Sequence, residues 1–81
     1  MSSREAVRLT GRLQGKGHDV TCTVSAEKVS HSTRADDYVY RRPRIFSVQE
    51  DVPDGQYRLT FDGRAFSFER TNGAWKSPLA L

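Results

Sequence analysis

Apolar and polar residues alternate along most of the chain, as expected for β-strands that bury one face. Apolar residues occupy odd positions from Val7 to Leu13 and even positions from Val20 to Ala26, with a glycine-rich stretch at 14–19 between the two runs. The two runs therefore predict a hairpin. Pairing Leu13 with Val20 places all the apolar side chains on one face. A slip of one residue would break this arrangement, so the pattern selects the register.

A second hairpin is predicted in the C-terminal third. Asp62-Gly63 separates the alternating run 57–61 from the alternating run 64–69. Asp-Gly is strongly favoured in two-residue turns, because both central residues of the turn adopt positive φ angles. With such a turn, Leu59 opposes Phe66 on the apolar face.

A third turn is predicted at Asn72-Gly73, for the same reason. It places Arg70 opposite Trp75 on the apolar face and Glu69 opposite Lys76 on the polar face. The guanidinium of Arg70 is then expected to lie over the indole ring in a cation–π contact.

The middle of the chain leaves alternatives open. Residues 25–31 either continue the second strand or form one helical turn, and residues 30–37 are polar enough for a loop. Two short strands, Tyr38–Tyr40 and Arg44–Val48, flank Pro43, which requires an edge position or a bulge because it has no N–H group. A tight hairpin after Val48 would pair it with the polar face of the next strand. Either a bulge intervenes or this strand belongs to the other sheet.

These elements predict an all-β fold, a small single-domain antiparallel barrel or rolled two-layer sheet of five to six short strands over residues 1–81. Two apolar faces should cover each other. The predicted core consists of Val7, Leu9, Val20, Cys22 and Val24 opposite Tyr57, Leu59, Phe61, Phe66, Phe68 and Trp75.

Composition narrows the classes of function. With 81 residues and one cysteine, the chain is too short for a second core and has no partner for an intramolecular disulfide. We expect a reducing, cytoplasmic location and no membrane partner, since no apolar run is long enough to span a bilayer.

Catalysis, metal binding and cofactors are not expected. Cys22 falls on the apolar face, which predicts a small buried side chain. In a strand it is too far from His18 for the two residues to bind the same metal ion. His31 and Ser32 lie near Asp36 and Asp37 in the sequence, but these residue types occur together in many polar loops, and no oxyanion-hole motif or nucleophile elbow accompanies them.

Positive charge is concentrated in the first half of the chain. Residues 1–48 carry nine basic and five acidic side chains, whereas residues 49–81 carry four and five. The predicted binding residues combine arginines for phosphate with tyrosines for base stacking. They are Tyr38, Tyr40, Arg41, Arg42 and Arg44, flanked by Arg8 and Arg12 on the first hairpin.

Two functions fit this segment. One is a non-catalytic recognition module that binds nucleic acid or a nucleoprotein through the basic and aromatic patch. The other is a small inhibitor of the phage or mobile-element type, anti-CRISPR-like for example, that occludes a protein partner, because arginine and tyrosine are also enriched in protein interfaces. A structural alternative also stays open, in which the tyrosines pack beneath the loop and nearby acids neutralise the arginines. Those acids are Asp36, Asp37, Glu50 and Asp51.

Overall fold

The computed structural model describes residues 3–34 and 37–77 as an all-strand fold. Its strands are β1 (Ser3–Gly15), β2 (His18–Ser30), β3 (Tyr38–Val48), β4 (Gly55–Phe61), β5 (Arg64–Thr71) and β6 (Ala74–Lys76). They form one antiparallel sheet in the order β3-β2-β1-β4-β5-β6, which curls into a nearly closed barrel. The predicted fold class is confirmed. In the part of the chain that the structure describes, no helix is long and apolar enough to cross a membrane.

The predicted register of the first hairpin is confirmed. Leu13 opposes Val20, and the ladder continues to Ser3 opposite Ser30, so residues 25–30 extend the strand and do not form a helical turn. The turn is Lys16-Gly17, with positive φ angles of 50° and 78°. Both residues therefore adopt the left-handed conformation that suits a two-residue hairpin.

The two C-terminal hairpins also match their predicted registers. Leu59 opposes Phe66, and Arg70 opposes Trp75. The first central residues of the turns, Asp62 and Asn72, have φ angles of 50° and 52°. The expected cation–π contact is present, with the guanidinium carbon of Arg70 lying 5.2 Å from the centroid of the Trp75 ring.

Strand β3 pairs with β2, which resolves the alternatives left open for Val48: this residue opposes Cys22. The ladder contains two irregularities. Ala26 faces both Arg42 and Pro43, and Phe46 is an extra residue between two paired positions. Pro43 thus lies at a bulge in an edge strand, where its missing N–H group removes no ladder bond, and Arg42 beside it has a φ of 53°.

Strands β1 and β4 are paired over only three positions, Arg12 to Gln14 of β1. Two glycines of β1 permit this close crossing. A Cβ on Gly11 would lie 2.9 Å from Val24 Cγ2, and a Cβ on Gly15 would lie 2.8 Å from Tyr57 Cδ2. This seam divides the sheet into an N-terminal wing, strands β1 to β3, and a C-terminal wing, strands β4 to β6.

The core lies between the inner faces of the two wings. Most of the predicted members are buried, although Leu9, Phe66 and Trp75 are only partly buried and Val7 lies outside the core cluster. The buried members of the cluster are Leu13, Val20, Cys22, Val24, Val52, Tyr57, Leu59, Phe61 and Phe68. The alternation did not predict Val52, which lies in the loop after β3.

Candidate nucleic-acid interface

Five arginines share the outward side of the N-terminal wing, which we call the arginine face. Because side chains alternate along a strand, residues that do not point into the core point to this side. All five are exposed. They are Arg4, Arg8 and Arg12 of β1 and Arg41 and Arg44 of β3.

Pairing through β2 brings arginines from distant parts of the chain together. Ser25 opposes Arg8 on one side and Arg44 on the other, so the three residues form one row across the wing. Neighbouring strands are about 4.8 Å apart, which places the backbones of the two arginines roughly 10 Å from each other. The next row contains Glu27 opposite Arg41.

Few carboxylates neutralise the arginine face. Arg12 Nε lies 3.1 Å from Asp19 Oδ1, and Arg4 Nη1 lies 3.9 Å from Glu27 Oε1. These pairs are solvent-exposed or only partly shielded and are therefore weak.

The remaining arginines of the predicted patch have no ion-pair partner within residues 3–34 and 37–77. This holds for Arg8, Arg41 and Arg44, and likewise for Arg42 in the bulge. Three of the acids considered as neutralising partners, Asp37, Glu50 and Asp51, form no ion pair with them, and Asp36 lies outside the described residues. Their charge therefore stays available to an anionic ligand.

Phe46 adds an aromatic ring to the arginine face. Its side chain is 57% exposed, and the guanidinium carbon of Arg8 lies 4.0 Å from the ring centroid. The bulge in β3 places this residue outward beside Ser47. Phe46 was not among the binding residues predicted from the sequence. Its spacing of two residues from Arg44 was the available signal, since alternate residues of a strand share a face.

Tyr38 and Tyr40 lie on the opposite side of β3 from Arg41 and Arg44. Both hydroxyls donate to Asp62 Oδ2 at 2.6 Å, and the Tyr40 ring packs edge-on against Phe61 with centroids 5.1 Å apart. The structure therefore separates the two predicted tyrosines from the arginines. Their rings close the barrel between β3 and the β4–β5 turn.

Charged groups complete this closing contact. Arg64 donates to the carbonyl of Tyr38 at 2.9 Å and to Asp62 Oδ2 at 3.2 Å, and Lys28 Nζ lies 4.2 Å from the centroid of the Tyr38 ring. The hydrogen bonds from the tyrosines lower the pKa of Asp62, whereas burial and the bond to Asp62 raise the pKa of Tyr40. Both shifts favour an ionised carboxylate held by neutral hydroxyls.

A shallow depression of about 190 Å³ lies on the arginine face, beside the row that contains Arg8 and Arg44. Four hydroxyl groups surround it, and none of them bonds to another side chain or backbone group in the described parts of the chain. Its polar lining residues are Thr10, Thr21, Thr23, Ser47 and Gln49.

A larger open groove of about 510 Å³ lies on the C-terminal wing and at the seam. Arg58 and Glu69 both line it, so its charge is mixed. Within the described ranges, no group of three or more histidine, cysteine or acidic residues is arranged to hold a metal ion. Burial raises the pKa of the Cys22 thiol, which disfavours the reactive thiolate.

Comparisons of the chain with protein-family models, with curated proteins and with solved structures found no match.

Proposed function

We propose that this protein is a non-catalytic nucleic-acid-binding module whose arginine face contacts the phosphate backbone. The observation that carries the proposal is the row of Arg8 and Arg44 about Ser25, with Arg41 in the next row and no described ion pair on any of the three. A guanidinium matches the geometry of a phosphate with two parallel N–H donors, and its charge persists at all physiological pH values.

Charge distribution supports the same face. The protein carries a formal charge of +3. Five arginines lie on the arginine face against the carboxylates of Asp19 and Glu27, while the outer side of the C-terminal wing mixes Arg58 and Lys76 with Glu69. A polyanion is therefore attracted to one side of the molecule.

A protein partner is the second candidate, of the occluding inhibitor type. Phe46 and Val39 are 57% and 44% exposed on the outer side of β3, and exposed apolar residues flanked by arginines are also typical of protein interfaces. The two functions differ in the sensitivity of binding to salt, since release of counterions from phosphates makes nucleic-acid binding steeply salt-dependent.

The test is fluorescence anisotropy of labelled single-stranded and duplex DNA and RNA titrated with the protein at about 50 and 200 mM salt, a range that separates these classes. We expect binding at low salt that weakens steeply at higher salt. The double variant Arg41→Ala/Arg44→Ala should lose most of the affinity and keep its melting temperature, because neither arginine has a partner in the described fold.

The matched control is Arg58→Ala/Lys76→Ala, which removes two exposed cations from the outer side of the C-terminal wing. This variant should bind as the unmodified protein does. Absence of binding to every oligonucleotide at low salt would reject the proposal and direct attention to a protein partner.

A further inference from the structure

We infer that the hydroxyl-lined depression on the arginine face is a subsite for one unpaired nucleobase, so that the ligand is a single strand. This inference rests on the proposed nucleic-acid function. It adds a recognition element that phosphate contacts alone do not supply, since phosphate contacts position a strand and base contacts select it.

The size and lining of the depression suit a base. Its volume of about 190 Å³ exceeds the ~150 Å³ cavity that is known to accommodate a benzene ring. Threonine and serine hydroxyls both donate and accept hydrogen bonds, so they can meet the mixed donors and acceptors of a base edge. Because none of these hydroxyls has a partner in the described structure, a ligand displaces no protein hydrogen bond.

The depression lies between Arg8 and Arg12 of β1. Thr10, Thr23 and Ser47 form one row across the wing. Along β1, Arg8 lies two residues before Thr10, and Arg12 lies two residues after it. Each step is about 7 Å, so cationic groups flank the depression on both sides along the strand direction. A nucleotide whose base enters the depression therefore has its phosphates near guanidinium groups.

Phe46 supplies a stacking surface on the same side of the wing, next to a residue that lines the depression. It precedes Ser47, which lines the depression, and the bulge leaves it unpaired and exposed. Arg8 already lies over the ring at 4.0 Å. Single-strand-binding proteins combine such aromatic surfaces with a positively charged track, and a base can reach this surface only when it is not stacked inside a duplex.

The experiment compares three labelled ligands of equal length: oligothymidylate, an abasic phosphodiester strand and a duplex. The abasic strand keeps the phosphates and lacks the bases, so it separates base recognition from charge. We expect oligothymidylate to bind about tenfold more tightly than the abasic strand, which is the factor that ordinary base stacking contributes. It should also bind more tightly than the duplex.

Two variants locate the subsite. Phe46→Ala removes the stacking ring, and Thr23→Val removes a hydroxyl while keeping the shape and the β-branched side chain. Both should reduce binding of oligothymidylate and leave binding of the abasic strand unchanged. The controls are Val39→Ala, which changes an exposed apolar residue on the same strand as Phe46, and Ser67→Ala, which removes an exposed hydroxyl on the C-terminal wing. Neither should alter the ratio of the affinities for oligothymidylate and the abasic strand.

The outcomes separate the two proposals. Equal affinity for oligothymidylate and the abasic strand, or a preference for the duplex, overturns the base subsite while salt-dependent binding through the arginines stands. Failure of all three ligands to bind at low salt overturns both. Selective loss of oligothymidylate binding in Phe46→Ala and Thr23→Val, with melting temperatures retained, supports the subsite.

Discussion

At the scale of single residues, Asp62 has two roles. It supplies a positive φ angle of 50° to a hairpin turn, and its carboxylate accepts hydrogen bonds from Tyr38 and Tyr40. The turn was predicted from the sequence, whereas the second role depends on side chains 22 and 24 residues away. Charge-assisted bonds of this kind are stronger than neutral ones, so this carboxylate links β3 to the C-terminal wing most strongly when it is ionised.

Asp62→Asn is expected to lower the melting temperature at neutral pH. The pKa of Asp62 is lowered in the folded state, mainly by the hydrogen bond from Tyr38. Its stabilisation is therefore complete above the unfolded carboxyl pKa of about 3.9 and is lost as the pH falls through the lower folded value. Thermal melts from neutral to strongly acidic pH should show the two melting temperatures beginning to converge below about pH 4 and meeting once the pH is below the folded pKa of Asp62.

The control for this prediction is Asp51→Asn, since Asp51 is exposed and has no ion pair or hydrogen bond to another described residue. It should melt as the unmodified protein does at every pH. A constant difference between Asp62→Asn and the unmodified protein over the whole pH range would show that the carboxylate charge does not hold the contact.

At the scale of elements, the seam between β1 and β4 decides how the two wings meet. Only three residue pairs join these strands, and Gly11 lies on the inner side of β1 at this crossing. A Cβ there would meet Val24 Cγ2 at 2.9 Å, the backbone oxygen of Thr60 at 3.1 Å and Leu59 Cδ1 at 3.2 Å. Packed interiors do not absorb such contacts without displacement of the neighbouring atoms.

Gly11→Ala is therefore expected to destabilise the protein by about 1–3 kcal/mol, the usual cost of overpacking a core. For a chain of 81 residues, whose total stability is roughly 4–12 kcal/mol, this is a large fraction. Urea denaturation followed by circular dichroism measures the change.

Thr10→Val provides the comparison, because Thr10 precedes Gly11 in β1 and its side chain lies on the outward face, away from the core. This substitution should change the free energy of unfolding by no more than about 0.5 kcal/mol. If Gly11→Ala were as stable as Thr10→Val, then β4 would not cross β1 as closely as described.

At the scale of the whole molecule, the fold places the arginines on one side of the N-terminal wing and the core residues on the other. Arg8 and Arg44 point outward on either side of Ser25, and the inner side of the same wing carries core residues such as Leu13 and Val24. A ligand with many phosphates therefore meets one concentrated cationic surface. This arrangement also leaves the guanidinium groups in water, so folding does not incur the free-energy cost of burying charged groups.

The slope of log affinity against log salt concentration should reflect this surface. If all five arginines contact phosphates of a single strand, the slope is about −3.5, since each contact contributes about −0.7. Arg41→Ala/Arg44→Ala should reduce its magnitude by about 1.4. Anisotropy titrations at four or more salt concentrations measure both values, and an unchanged slope in the double variant would place the phosphate contacts elsewhere.

Much of the fold was predictable because its signals are local. Alternation and the turns at 62–63 and 72–73 predicted the registers of the hairpins, including Leu13 opposite Val20 and Arg70 opposite Trp75. The partner of β3 was not predictable: a tight hairpin after Val48 would have paired this residue with a polar face, and the local pattern did not decide between a bulge and pairing with another strand. Val52 was missed for a related reason: it lies in a loop, where burial depends on what passes over it and not on alternation.

For the candidate site, the chain order of apolar and polar residues already assigns Arg8, Arg12 and Arg44 to strand positions, since alternation with a period of two is a property of each strand alone. Pairing of β3 with β2 then places Arg8 and Arg44 in one row, leaves Phe46 outside and turns Tyr38 inward to Asp62. Contacts between residues far apart in the chain form only when the strands associate. The choice among compatible partners depends on the packing of the complete barrel.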